Sequence, residues 1–277
     1  MKDNGLLVQY FNANTPADQT LWAKATKDAA TLKKLGATAV WFPPATKGAA
    51  GKDDRGYAPY DLYDLGEFNQ KGSVGTRYGT KKEYLEAIDA MKAQGINVYA
   101  DIAVRQKLGA DSVEKVTAAD FNAKDIPQMI GNKKIVGALS KFTFPGRKSK
   151  YSKFKWNWNH FAGIDWQQDD FKRRVCELSG MTEMEAEKKY KLSKYDYIIG
   201  SELDLYNQEV YDELMAWAKW YENVTGVDGF RFQEAEKIPG WFIRDFAEVA
   251  SNAGEEEKEI FTVGDFWHWR CDYINDY

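Results

Sequence analysis

The stretch Gly226-Val-Asp-Gly-Phe-Arg-Phe-Gln-Glu-Ala-Glu-Lys237 begins as a short apolar run and ends in a burst of charge. Val227, Phe230 and Phe232 predict a strand, and the charged residues after it predict a site at the strand's end. Helix-like stretches lie on both sides, at 209–222 before it and 241–250 after it. That helix–strand–helix rhythm is expected of parallel strands covered by helices. In a strand alternate residues share a face, so Arg231 and Gln233 should point one way, and Phe232 and Glu234 the other.

The same rhythm extends outward in both directions. Residues 6–11 read as a first strand, and 18–35 as a helix with apolar positions at Leu21, Trp22, Ala25, Ala29, Leu32 and Leu35, stopped by Gly36. Residues 37–42 form a second strand, ended by Pro43-Pro44. After a long loop rich in aromatics and acids (55–68), Thr80 is placed to cap a helix that stops at Gly95, and 96–104 is a third strand. The alternation lapses from 107 to about 201. It resumes with the helix and strand around Arg231, and 259–267 is a fifth strand. Within the lapse, residues 177–194 interleave Glu and Lys, a pattern expected of a solvated helix.

Composition narrows the partners. With 277 residues and a formal net charge of −4, the chain has ample length for a core and no basic excess. That argues against nucleic acid or an anionic membrane surface and favours small or neutral ligands. Cys176 and Cys271 are far apart and lack metal-ligand spacing, so two free thiols are expected. No apolar run reaches the ~18 residues of a membrane span, and no leader-like segment is visible near Met1, so a cytoplasmic protein is expected. Aromatics make up 15% of the chain; most aromatics in any protein are core, and the excess is what a ring-stacking cleft would add.

The segment from Gly226 resembles the fourth-strand motif of the α-amylase family, in which a nucleophilic aspartate follows the arginine by two residues. The blocks at 142–147 and 154–166 are similar to the inserted B subdomain of the bacterial liquefying type. The resemblance implies an α/β fold, a partial TIM-like β/α barrel of about five of the usual eight units. It divides the chain into a first barrel part at 1–104, a B-type subdomain at 105–203, and a barrel continuation at 204–277. Strands one and five would then carry unpaired edges, which invites self-association or a partner chain that closes the barrel.

Carried over residue by residue, the resemblance implies a site with several departures. Gln233 stands at the nucleophile position, Asp265 at the glutamate acid/base position, and Arg231 keeps its place. Tyr57 would stack under a sugar, with Asp61 in support. Gln106 replaces a substrate-binding histidine, and Glu236 and Lys237 stand where the family has lysine and histidine. Asp196 and Glu202 fall at calcium-ligand positions, but Arg105 replaces an asparagine ligand. The expectation is therefore no cofactor, with the Arg105 guanidinium pairing with Asp196 and Glu202 in place of the ion.

A retaining glycosidase needs two carboxyls about 5 Å apart, one attacking the sugar and one protonating the leaving oxygen. Gln233 is a neutral amide and can neither form the glycosyl ester nor stabilise a cationic transition state. Glu234, on the opposite face of the strand, and Glu236, in the loop beyond, would each need a rearranged backbone to substitute. Three readings stay open: a non-hydrolytic binder of starch-like chains and maltooligosaccharides, a weakly active α-amylase, or a chain that needs a partner to complete its barrel.

Overall fold

The computed structural model describes residues 5–121, 129–169, 172–178, 199–254, 257–267 and 271–276. Strand β1 (Leu7–Gln9) leads into helix α1 (Leu21–Lys34) and strand β2 (Ala39–Phe42). Two short strands, β3 (Lys47–Gly48) and β4 (Pro59–Asp61), then pair with each other within the loop. Helix α2 (Lys81–Ala93) starts at the expected capping box: the Thr80 side chain takes the Glu83 backbone N–H, and Glu83 reaches back to the Thr80 N–H. Strand β5 (Asn97–Ile102) follows.

The excursion after β5 is an antiparallel sheet. Strands β6 (Gln106–Lys107), β7 (Ser112–Phe121), β8 (Met129–Lys141), β9 (Phe161–Gln167), β10 (Lys172–Glu177) and β11 (Ser201–Leu203) align in the order β6-β11-β9-β10-β7-β8. Its own core is small: Val116, Ala118, Val136, Ala138, Ile164 and Cys176. Phe142, Phe144, Trp156 and Phe161 belong instead to the main core and seat this sheet against the rest of the molecule. Glu177 closes β10, so the charged helix expected at 177–194 does not begin there; residues 179–198, Asp196 among them, lie outside the described residues.

The chain returns through α3 (Gln208–Thr225), β12 (Gly229–Phe232), α4 (Gly240–Ser251), β13 (Phe261–Gly264) and α5 (Cys271–Asp276). Helix α3 stops at Gly226, whose left-handed φ of 60° is the turn a glycine makes without strain. Strands β1, β2, β5, β12 and β13 form one all-parallel sheet in that order, so β1 and β13 are its edges among the described residues. This is a partial β/α barrel, as the sequence implied.

The two faces of the parallel sheet differ sharply. Val40, Phe42, Val98, Ala100, Ile102, Phe230 and Phe232 are buried in the cluster shared with the helices. Trp22 of α1 packs between Phe42, Tyr78 and Tyr84, and Phe246 of α4 meets Phe230 edge-on at 5.2 Å. Each such aromatic contributes roughly 1.5–3 kcal/mol by leaving water. The other face carries Gln9, Trp41, Tyr99, Asp101, Arg231 and Val263, the positions of opposite parity. Here Tyr99 and Phe261 stack across the strand between them at 4.6 Å, over Gly229, where a Cβ would come within 2.8 Å of the Tyr99 ring. Phe261 is nevertheless 46% exposed, because no further strand covers this face among the described residues.

Candidate functional site

Strand register sets the site. In β12, Arg231 lies level with Asp101 of β5 on one side and Val263 of β13 on the other. Arg231 Nη1 donates to both oxygens of Asp101 at 3.0 Å, and Nη2 pairs with Asp265 just past the end of β13. The guanidinium lies over the ring of Trp41, 4.5 Å from its centroid, a cation–π contact that fixes its plane. The Tyr57 hydroxyl donates to Asp101 at 2.6 Å. Burial pushes the Asp101 carboxyl up to about 6, against the opposing pull of Arg231. Burial and then the charge of Asp101 likewise hold the Tyr57 hydroxyl in its neutral, donating form.

These groups open into a cleft of about 440 Å³ on the uncovered face, lined by Gln9, Trp41, Tyr99, Arg231, Asp265 and Trp267. Trp267 is 80% exposed at its rim. Trp41, Tyr99 and Trp267 were not singled out from sequence. Strand parity could have found the first two, since Trp41 alternates with buried Val40 and Phe42, and Tyr99 lies two residues before Asp101.

A second cluster adjoins the first. Beyond β12 the pleat ends, because Glu234 takes a left-handed φ of 51° and residues 235–237 form a single 3₁₀ turn. Glu234 therefore does not simply face the far side of the strand: its carboxylate accepts from Arg105 Nη2 at 2.8 Å and from Lys237 Nζ at 2.5 Å. Arg105 Nη1 meets both oxygens of Glu202, at 2.8 and 2.6 Å. The expected Arg105–Glu202 pair is thus present, Glu234 is an unforeseen further partner, and Asp196 lies outside the described residues.

The remaining candidates are distributed around these clusters. The Gln233 backbone N–H donates to the carbonyl of Ile102 at 3.2 Å, continuing the β5 pairing, and its side chain is partly buried. Gln106 is buried and donates to the Tyr57 carbonyl at 3.2 Å, so it steadies the loop that carries Tyr57. Partial burial pushes the Glu236 carboxyl up from its ordinary range. Asp61 belongs to a different network: it is buried against Arg147, 2.8 Å from Nε, and accepts from Gln70 at 2.9 Å. Tyr57 faces Asp101, and Asp61 does not join it there. Trp156 and His160 are buried, whereas Trp158 is partly exposed.

A polar cluster at the carboxyl ends of parallel strands, beside an inserted subdomain, is the arrangement of a β/α-barrel protein with a ligand site at its usual end. No protein-family model matches the chain. It is 44% identical over 276 residues to an α-amylase of Geobacillus stearothermophilus, covering 99% of this chain and 50% of that one. It is 40% identical to a glucan 1,4-alpha-maltohexaosidase of a Bacillus species, covering 99% of this chain and 53% of the other. It is 35% identical to the cytoplasmic alpha-amylase of Escherichia coli, covering 99% of this chain and 56% of that protein. Among solved structures, an acarbose complex of the Geobacillus thermoleovorans α-amylase superposes with a TM-score of 0.56 at 17% identity, covering 98% of this chain and 48% of the other, and so supports the fold. The chain belongs to the α-amylase family. It spans about half the length of the curated relatives it matches.

Proposed function

We propose that this chain binds α-1,4-glucan segments on the uncovered face of its parallel sheet and hydrolyses them poorly or not at all. The observation that carries this reading is the pair Gln233 and Arg231. The nucleophile position holds a neutral amide, and the arginine next to it has turned both of its Nη groups onto Asp101 and Asp265. Asp265, the acid/base candidate, is held by Arg231, and its side chain is one methylene shorter than glutamate. Glu234 is already engaged by Arg105 and Lys237, which counts against it as a substitute nucleophile.

What remains suits a neutral polyol. Trp41 and Trp267 offer aromatic surface for sugar rings, and Gln9 and Asp265 offer hydroxyl partners. The test is a melt followed by tryptophan fluorescence, with and without maltoheptaose, on the wild type and Trp41→Ala. Ligand at a hundred times its dissociation constant should stabilise the wild type by roughly 2.7 kcal/mol. No shift in the wild type, or an equal shift in the variant, would overturn the reading; release of reducing ends at ordinary amylase rates would overturn its catalytic half.

A second reading draws on the exposed inner face itself. Leu7, Phe261 and Val263 lie there, and β1 and β13 have open edges among the described residues. These features favour association with another chain that covers the face. A monomeric mass in solution at micromolar concentration would rule this out.

A further inference from the structure

We propose that Arg105 is a built-in cation that does the work of a bound metal ion, clamping the antiparallel sheet to the end of β12. The family implies calcium here, and the donor set can be tested against that ion. A calcium ion takes about 6–8 oxygen ligands from groups free to turn toward it. Both oxygens of Glu202 are occupied by Arg105 Nη1, and the two oxygens of Glu234 are divided between Arg105 Nη2 and Lys237. Two cations already balance the two carboxylates, so an added dication would meet repulsion rather than an unmet negative charge. Among the described residues, no three His, Cys, Asp or Glu side chains converge to hold a metal. Among the described residues, the donor set does not fit the ion.

They do fit a guanidinium. Arg105 is 3% exposed and sits in the short link between β5 and β6, at the root of the insertion. Its carbonyl accepts from the Leu203 N–H at 2.7 Å, and its side chain grips Glu202, so the outgoing and returning strands are held at one point. The third arm reaches Glu234, in the turn that directly follows β12. A single planar fork therefore joins three chain segments that are distant in sequence, through charge-assisted bonds that a hydrated ammonium could not reproduce in full.

The clamp makes the fold independent of metal, and this can be read without any activity assay. The melting temperature of the wild type should be unchanged by a chelator and by added calcium chloride. Arg105→Ala leaves the mostly buried Glu202 carboxylate without its cation and Glu234 with Lys237 alone, and should lower the melting temperature by about 5–10 °C. It should also speed tryptic cleavage within residues 105–203. If Arg105→Ala does not fold, Arg105→Lys and Glu234→Gln each remove only part of the clamp and should give smaller decreases in the same direction. A wild type that is destabilised by chelator or stabilised by calcium would overturn the proposal. So would an Arg105→Ala, Arg105→Lys or Glu234→Gln protein that melts as the wild type does.

Discussion

Replacing Lys107 by methionine should stabilise this protein, although it removes a charge from the interior. Lys107 lies on β6 at 1% exposure, and its Nζ has no hydrogen-bond partner among the described residues. It faces the rings of Phe142, Phe144 and Trp156 at 5.3, 5.5 and 5.1 Å, with Asp61, Arg147, Glu213 and Asp111 as the surrounding charges. Burial pushes its ammonium down from 10.5 to about 7. The unfolded chain therefore binds more protons than the folded one between those values, and stability attributable to this group rises with pH across that window. At about pH 7.5 the cost of stripping or burying the proton is on the order of 4 kcal/mol, at about 1.4 kcal/mol per pH unit. Methionine fills a similar volume with no charge to desolvate, and gives up at most roughly 1–2 kcal/mol of cation–π attraction, which only the protonated fraction makes. The net gain should be about 2–3 kcal/mol in urea unfolding followed by tryptophan fluorescence. Near pH 9.5 the wild-type lysine folds at less cost, and the advantage of the variant should shrink by about 2–3 kcal/mol. A methionine variant that is less stable than the wild type, by the same margin at both pH values, would refute the reasoning. It would mean that the ammonium is charged and well paired in the fold.

Two further changes probe the site face. Gln233→Asp together with Asp265→Glu should raise reducing-end release from starch by at least about a hundredfold over the wild type, while either change alone does little, because groups that act as one unit are not additive. Gly229→Ala should destabilise the chain by roughly 1–3 kcal/mol in the same urea assay, since the new methyl would be driven against the Tyr99 ring and the Phe261 carbonyl.

The parts of the fold legible in the sequence are those with local causes. The period of α1 is visible in Trp22, Ala25, Ala29 and Leu32, and the Thr80–Glu83 box announces the start of α2. The antiparallel sheet is less legible, because its small core is drawn largely from valine and alanine, and its pairings join residues far apart in the chain. Site residues escape a sequence reading for a similar reason. The loop around Asp61 suggests a sugar contact, but the partner of that carboxylate, Arg147, is 86 residues away. Strand parity sends Glu234 to the far face, yet the strand ends at Phe232 and a positive φ turns the carboxylate toward Arg105. Parity holds only as far as the hydrogen-bonded ladder does.

Charge pairing joins these observations into one argument about turnover. Asp101 and Asp265 are both bound to Arg231, while Glu202 and Glu234 are bound to Arg105 and Lys237. A retaining glycosidase works with an unneutralised carboxylate aimed at the sugar, whose charge meets the positive charge that develops at the reacting carbon. Here each of these four carboxylates is already answered by an arginine or a lysine, and position 233 contributes an amide. On the proposed reading, groups so compensated would offer little field to a cationic transition state, while the cleft would keep stacking surface and hydrogen bonds for a neutral glucan. Gln233→Asp by itself would add a carboxylate two residues beyond Arg231 while leaving Asp265 paired with that arginine. The pairing with Asp265 would have to loosen before that residue could meet a leaving oxygen, and this is the physical reason for expecting the two substitutions to act together and not singly.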